Sequence, residues 1–143
     1  MIYKIKEPKT SIDWENYYLL RWKLLRMNLG LEKGTEKDQF ESISYHRIVK
    51  YGSNIIGVGR LHFVNEFQAQ IRFMAIEIEY RNAGLGRMLI EELIFIAKNR
   101  KIEKIFLNSR ESAVGFYQKF GFIKIRPVDT KFNINHYLME KKL

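Results

Sequence analysis

The order of apolar and polar residues divides the chain into segments of two periods. Ile2 to Lys6 alternates apolar and basic side chains, the period of a strand with one buried face, and Pro8 stops it. Thr10 or Ser11 can cap the next segment, a helix with Trp14, Tyr17, Tyr18, Leu24 and Leu25 near one face and Gly30 at its end. Gly30 to Ile43 is polar and irregular, with room for one short helical turn. Three strands follow: Ser44 to Tyr51, Ile55 to Val64, and Phe67 to Ile78. Gly52-Ser53-Asn54 and Asn65-Glu66 join them, connections short enough for antiparallel hairpins.

After Ile78 the period changes. Leu85, Met88, Leu89, Leu93 and Ile96 recur at helical spacing, and Lys98, Arg100 and Lys101 suit a helix C-terminus. Lys104 to Leu107 is a compact apolar strand, so Phe67 to Leu107 reads as strand, helix, strand, a parallel crossover. A second helix covers about Ser112 to Phe120, stopped by Gly121, and Phe122 to Arg126 and Ile134 to Glu140 close the chain as strands. The predicted class is α+β, a mixed and mostly antiparallel sheet with helices on both faces. A doubly wound nucleotide fold does not fit, because three hairpin-linked strands precede the crossover.

Composition narrows the chemistry. The 143 residues contain no internal repeat, low-complexity tract or Gly/Ser/Pro linker, so a single domain over 1–143 is expected. Zero cysteines exclude thiol nucleophiles, zinc ribbons, iron–sulfur clusters and disulfide scaffolds. A net charge of +9 suits an anionic partner: nucleic acid, an acidic protein surface or a phosphorylated small molecule. The basic residues are scattered, with no block of five, which argues against a nucleic-acid tail. MIYKIKEPKT lacks the apolar core of a signal peptide and no run approaches ~20 apolar residues, so no membrane contact and a cytoplasmic location are expected.

Between strand and amphipathic helix lies Arg81-Asn82-Ala83-Gly84-Leu85-Gly86-Arg87. Its glycines allow close backbone approach, the first-turn N–H groups lack intrahelical partners, and the helix dipole with Arg81 and Arg87 adds positive charge. Such a turn can hold a pyrophosphate; alternatively Gly84 and Gly86 only permit a tight strand-to-helix turn. Gly57-Val58-Gly59 and Gly84-Leu85-Gly86 both lack the third glycine of a dinucleotide fingerprint, and the chain has no Walker loop.

One strand later comes Ala113-Val114-Gly115-Phe116-Tyr117-Gln118-Lys119-Phe120-Gly121-Phe122. The pair R-x-x-G-x-G-R and A-x-x-F-Y-x-K-x-G-F, in this order on these elements, resembles the Gcn5-related N-acetyltransferase superfamily. The likeness covers nearly the whole chain and is most specific from Met74 to Phe122. G-V-G-R-L-H, N-S-R-E and N-H-Y-L-M-E also resemble small stand-alone bacterial members related to the ElaA proteins.

The resemblance implies a splayed parallel strand pair, Met74 to Ile78 against Lys104 to Ser109, with the pantetheine arm of acetyl-CoA between them. It puts the pyrophosphate on Arg81 to Arg87, through Arg81, Asn82, Ala83, Gly84, Leu85, Gly86 and Arg87. Asn82 stands where relatives commonly carry Gly, and Asn tolerates such backbone angles. Backbone groups near Ala75, Ile76 and Ile78 would bond the pantetheine amides, the Ile76 N–H serving the thioester oxygen as it becomes an oxyanion. Asn108 would bond the pantetheine and Phe116 would pack near the cofactor. Arg110 occupies a place where many relatives carry Asn.

Tyr117 matches the family's general acid. A phenol of pKa near 10 holds its proton at neutral pH and can deliver it to the departing thiolate. Where some relatives have a basic Glu, this chain has Gln70, which is no useful proton acceptor. By alternation Gln70, Arg72, Met74 and Ile76 share one strand face, and a cation at Arg72 suits a carboxylate on the substrate better than an ammonium. His46, His62 and His136 are candidate bases by pKa, are too scattered to hold a metal, and leave ordered water as an alternative. Trp14, Tyr17, Tyr18 and Trp22 are placed to line the acceptor end or to pack on the sheet.

The implied activity is acetyl-CoA-dependent transfer to a primary amine of a small molecule or peptide, by a monomer or homodimer without a covalent enzyme intermediate. The competing readings are a noncatalytic acyl-CoA-binding module of the same fold and, more distantly, a basic nucleic-acid-binding domain.

Overall fold

The computed structural model describes residues 2–143. Strand β1 (Tyr3–Lys6) leads to helix α1 (Ser11–Leu25), and strands β2 (Tyr45–Tyr51), β3 (Asn54–Phe63) and β4 (Gln68–Ile76) follow. Helix α2 (Leu85–Asn99), strand β5 (Lys104–Arg110), the short helix α3 (Val114–Gln118) and strands β6 (Ile123–Lys131) and β7 (Ile134–Lys142) complete it. The seven strands form one sheet in the order β1-β2-β3-β4-β5-β7-β6, antiparallel except between β4 and β5.

Local chemistry accounts for most boundaries. Thr10 caps α1 in a capping box, its hydroxyl accepting the Asp13 N–H at 3.0 Å while the Asp13 carboxylate accepts the N–H of Thr10. The helix stops at Leu25, earlier than Gly30, and a 3₁₀ turn over Met27–Leu29 fills the interval before Gly30 closes it at φ 72°. The last strands run longer than the apolar pattern predicts. Pro127 is tolerated because β6 is an edge strand, and Phe132 and Asn133, both at positive φ, make the tight hairpin.

One face of the sheet packs on α2 and α3. There Leu61, Ile71, Ile90, Leu93, Ile105, Leu107, Phe122 and Met139 form the main core. The other face meets α1 through Tyr17, Leu20, Ile48 and Val58, with Trp14 and Tyr18 packed against them.

That second face also buries charge. Arg21 of α1 and Arg60 of β3 are both fully buried. Arg60 meets Asp38 through Nη1 at 2.6 Å and Nη2 at 2.9 Å, and Glu41 at 2.7 Å; Arg21 meets Glu41 at 2.8 Å. Burial alone would raise the Asp38 and Glu41 carboxyls. The hydrogen bonds and charges of these arginines outweigh it and hold both below the ordinary carboxylate range. The polar segment 31–44 is thereby pinned to the sheet.

Candidate active site

The site is made by a failure of pairing. Strands β4 and β5 are in register only at Gln68↔Lys104, Ala69↔Ile105 and Gln70↔Phe106, although β4 continues to Ile76 and β5 to Arg110. A bulge in β4 starts the divergence. Between the pairs Arg60↔Arg72 and Val58↔Ala75, the single residue Gly59 lies opposite both Phe73 and Met74. Phe73 adopts φ 58°, a conformation costing a non-glycine residue roughly 1–3 kcal/mol. The guanidinium of Arg21, 3.9 Å above its ring, and that of Arg72, at 4.5 Å, help hold it there.

The bulge corrects the expected alternation. Gln70 and Arg72 face the α1 side, where Arg72 donates to Asp38 at 2.8 Å, but Met74 and Ile76 face the α2 side and pack near Leu85 and Leu89. The backbone assignments change too. Glu77 donates to the Ile56 carbonyl at 2.8 Å, so antiparallel alternation turns the N–H and C=O of Ile76 into the gap and those of Ala75 toward β3. The Ile76 backbone therefore opens onto the gap, whereas the Ala75 backbone points away. Ile78 lies beyond the strand, in a 3₁₀ turn over Ile78–Tyr80, and is 70% exposed.

At the mouth of the gap, Gly84 precedes α2 at φ 78° and no side chain caps the helix. The N–H groups of Leu85, Gly86 and Arg87 lack intrahelical acceptors. Asn82 also takes positive φ, 66°, as its chemistry permits. Arg81 donates through Nε to the Ile76 carbonyl at 3.0 Å and ties this turn to the end of β4. Arg87 makes an exposed contact with Glu91 at 3.6 Å and its guanidinium lies 5.1 Å from the centre of the Phe120 ring. The two glycines differ in purpose. A Cβ at Gly84 would meet nothing within 4 Å, so its backbone angle is the requirement; one at Gly86 would stand 2.9 Å from the Phe116 ring, so Gly86 admits the docking of α3.

A cavity of about 200 Å³ opens between the parted strands, and Tyr117, Gln70, Arg72 and Asn108 all line it. Neither Phe116 nor Arg81 to Arg87 belongs to its wall. Tyr117 is buried, burial pushes its phenol up to about 12, and its hydroxyl makes no hydrogen bond among the described residues. It is a proton holder at neutral pH.

Of the three histidines only His136 reaches the cavity. Its Nδ1 lies 2.8 Å from the Ile134 carbonyl and must donate there, which leaves Nε2 with its lone pair. Burial lowers its pKa, and the charges of Arg110, Lys131 and Arg26 add to the effect against the Ile134 bond. His46 is instead tied between the Tyr17 hydroxyl and the Glu41 carbonyl, both at 2.8 Å, and His62 stacks on Phe40 at 4.5 Å.

The aromatic residues of α1 do not line the acceptor end. Trp14, Tyr17 and Tyr18 pack around His46, and the Trp22 indole donates to the Leu31 carbonyl at 2.9 Å. The wall there comes from Arg26 after α1, Arg110 of β5, and Asp129, Lys131 and Phe132 of the β6–β7 hairpin. Nothing in the spacing of these residues points to a common site. A bulky Phe-Asn turn after an edge strand was the one available signal for the hairpin's reach.

The stretch that holds the opened strand pair, the basic glycine turn and the buried tyrosine falls within a match to a family model. The model for the acetyltransferase (GNAT) family fits residues 3–122. The chain belongs to this family. Bacillus subtilis (strain 168) YyaT is 26% identical over 142 residues, covering 97% of this chain and 95% of that protein. Escherichia coli ElaA has the same fold at TM-score 0.81 and 13% identity, over 98% of both chains. A GNAT family acetyltransferase from Elizabethkingia anophelis, solved with acetyl-CoA bound, superposes at TM-score 0.69 and 21% identity over 99% of this chain and 97% of that one.

Proposed function

We propose that this acetyltransferase uses acetyl-CoA and moves the acetyl group directly to a primary amine. The observation that carries the proposal is the unpaired gap between β4 and β5, with the Ile76 N–H on its edge and the Tyr117 hydroxyl in its cavity. An extended amide-bearing arm fits such a gap as an added strand. The open N–H groups of Leu85 to Arg87, with Arg81 and Arg87 beside them, suit its pyrophosphate.

In this reading the Ile76 N–H steadies the thioester oxygen as negative charge develops on it. The acceptor nitrogen bonds to the thioester carbon, and the carbon–sulfur bond breaks. Tyr117 gives its proton to the leaving sulfur, while His136 Nε2 takes the proton released by the acceptor nitrogen. Asn108 and Gln70 offer amides to the pantetheine and to the acceptor. No thiol exists in the chain to carry the acetyl group in between.

That absence also simplifies the test, since a thiol reagent added to the reaction reports coenzyme A alone. Thiol release that requires both the protein and an amine is expected. Tight acetyl-CoA binding without release for any amine, amino acid or peptide would replace the proposal with a noncatalytic acyl-CoA-binding role.

A further inference from the structure

The cavity is unevenly charged. Five arginines gather on the α1 side of the gap, and three of them have carboxylate partners: Arg21 with Glu41 at 2.8 Å, Arg60 with Asp38 at 2.6 Å, and Arg72 with Asp38 at 2.8 Å. The other two, Arg26 and Arg110, form no ion pair among the described residues. Arg26, only 7% exposed, donates through Nε to the Thr35 carbonyl at 3.1 Å and through Nη1 to the Leu25 carbonyl at 2.9 Å. Arg110 donates through Nη2 to that same Leu25 carbonyl at 3.0 Å. Both guanidinium groups thus converge on one backbone oxygen, and both line the cavity that holds Tyr117.

We propose that the acceptor amine carries an oxyanion, a carboxylate or a phosphate, and that Arg26 and Arg110 hold it beside the reacting nitrogen. The inference rests on the acetyl-transfer reading above and names the acceptor that the site selects.

Three observations lead there. First, the uncompensated charge is built in. Arg26 is held between the rings of Phe132 at 5.0 Å and Phe73 at 5.7 Å, and burial with the charges of Arg72, Arg110 and Arg21 lowers its pKa to about 10. Buried cations are ordinarily paired, and Arg26 has no carboxylate partner among the described residues, a place that an anion from outside the chain would fill. Second, most N–H donors of both side chains have no protein acceptor, and a guanidinium fork matches the paired oxygens of carboxylate or phosphate. Third, the nearby acids are committed elsewhere or lie apart. Glu36 accepts the Gly34 N–H at 2.8 Å and offsets the charge on Arg26 only in part. Asp129 lines the cavity, yet it forms no ion pair with Lys131, Arg26 or Arg110 among the described residues.

The same field bears on nucleophilicity. A bare ammonium entering beside Arg26, Arg72 and Arg110 meets like charge. An amine with its own oxyanion neutralises those cations, while the remaining positive potential helps its nitrogen lose a proton to His136. Aliphatic polyamines are the acceptors this site disfavours most.

The test begins with binding, which does not require the natural acceptor. Protein carrying bound coenzyme A is titrated with N-acetylglycine, N-acetylglycinamide, acetyl phosphoethanolamine and spermidine, while the Arg Nε–H signals are followed by NMR. Saturable shifts of Arg26 and Arg110 with the two oxyanion probes are expected, and neither the amide nor spermidine should produce them. Arg110→Ala should weaken binding by about 10- to 100-fold without changing acetyl-CoA affinity. The carboxylate and phosphate arms rank the two sources. Matched turnover of glycine against glycinamide, and of phosphoethanolamine against ethanolamine, reads the same preference as kcat/KM. No saturable shift, or equal binding of the uncharged probe, would overturn the proposal even if coenzyme A release stands. Failure of acetyl-CoA itself to bind would instead remove the underlying reading.

Discussion

Replacing Asp38 by Asn keeps the shape of a carboxylate that serves two arginines and removes its charge. Asp38 receives both Nη1 and Nη2 of the fully buried Arg60, plus Nη1 of Arg72. Breaking a buried ion pair from one side costs about 3–5 kcal/mol, because the surviving charge is left without compensation. Glu41 still meets Arg60 at 2.7 Å and Asn keeps one acceptor oxygen, so the lower end, about 3 kcal/mol, is expected. For a chain of this length that is a fall in Tm of roughly 10 °C. Urea denaturation of both proteins at neutral pH measures the difference. The double variant Asp38→Asn/Arg60→Met, which removes the stranded cation, should recover much of the loss. A single variant within 1 kcal/mol of the parent, or a double variant that is no better, would mean that segment 31–44 is held by something other than this network.

Tyr117→Phe preserves ring packing and should leave acetyl-CoA affinity unchanged while kcat falls about 10²–10⁴-fold; stopped-flow turnover beside calorimetry separates the two, and an unchanged kcat under chemistry-limited conditions would make Tyr117 structural. Gly86→Val drives a side chain into the Phe116 ring 2.9 Å away, so α3 should shift and both stability and turnover should drop, as thermal melts and coenzyme A release will show. Acid should unfold the protein early. The Asp38 and Glu41 carboxyls are lowered in the fold, so the unfolded chain binds the protons first, and their stabilisation is lost as pH falls through and below the ordinary carboxylate range. At the alkaline end the sign reverses: Tyr117 and Tyr18, raised to about 12, keep protons that unfolded tyrosines release near 10, so stability should fall from about pH 10 upward, followed by ultraviolet phenolate absorbance.

The periodicity of the chain carried the topology well. Hairpins at Gly52 and Asn65, the crossover through α2 and the left-handed stop at Gly121 are local signals, and the structure contains each of them. Tyr117, named from its own motif, and Gln70, Arg72 and Asn108, named from the family resemblance and strand alternation, line one cavity. The bulge at Phe73 was not legible in the sequence. It depends on arginines from α1 and β3 gripping one ring, contacts between residues far apart in sequence, and it moved Met74 and Ile76 to the other face. The burial of Arg21 and Arg60 had no signal in the sequence, since a buried guanidinium is recognisable only beside its carboxylates. Arg26, Arg110 and His136 share a cavity because of the β6–β7 hairpin, whose reach past Pro127 is signalled locally only by the Phe132-Asn133 turn.

In the proposed function an acetyl donor lies between β4 and β5 with its phosphates at the start of α2. Backbone amide shifts on titrating labelled protein with acetyl-CoA test this most directly. The account predicts large saturable changes at Ile76, Leu85, Gly86 and Arg87 and at residues around Tyr117, with β1 and β2 unchanged. Changes centred on Lys4, Lys6 and Lys50, which line a separate basic depression at the far edge of the sheet, would contradict it.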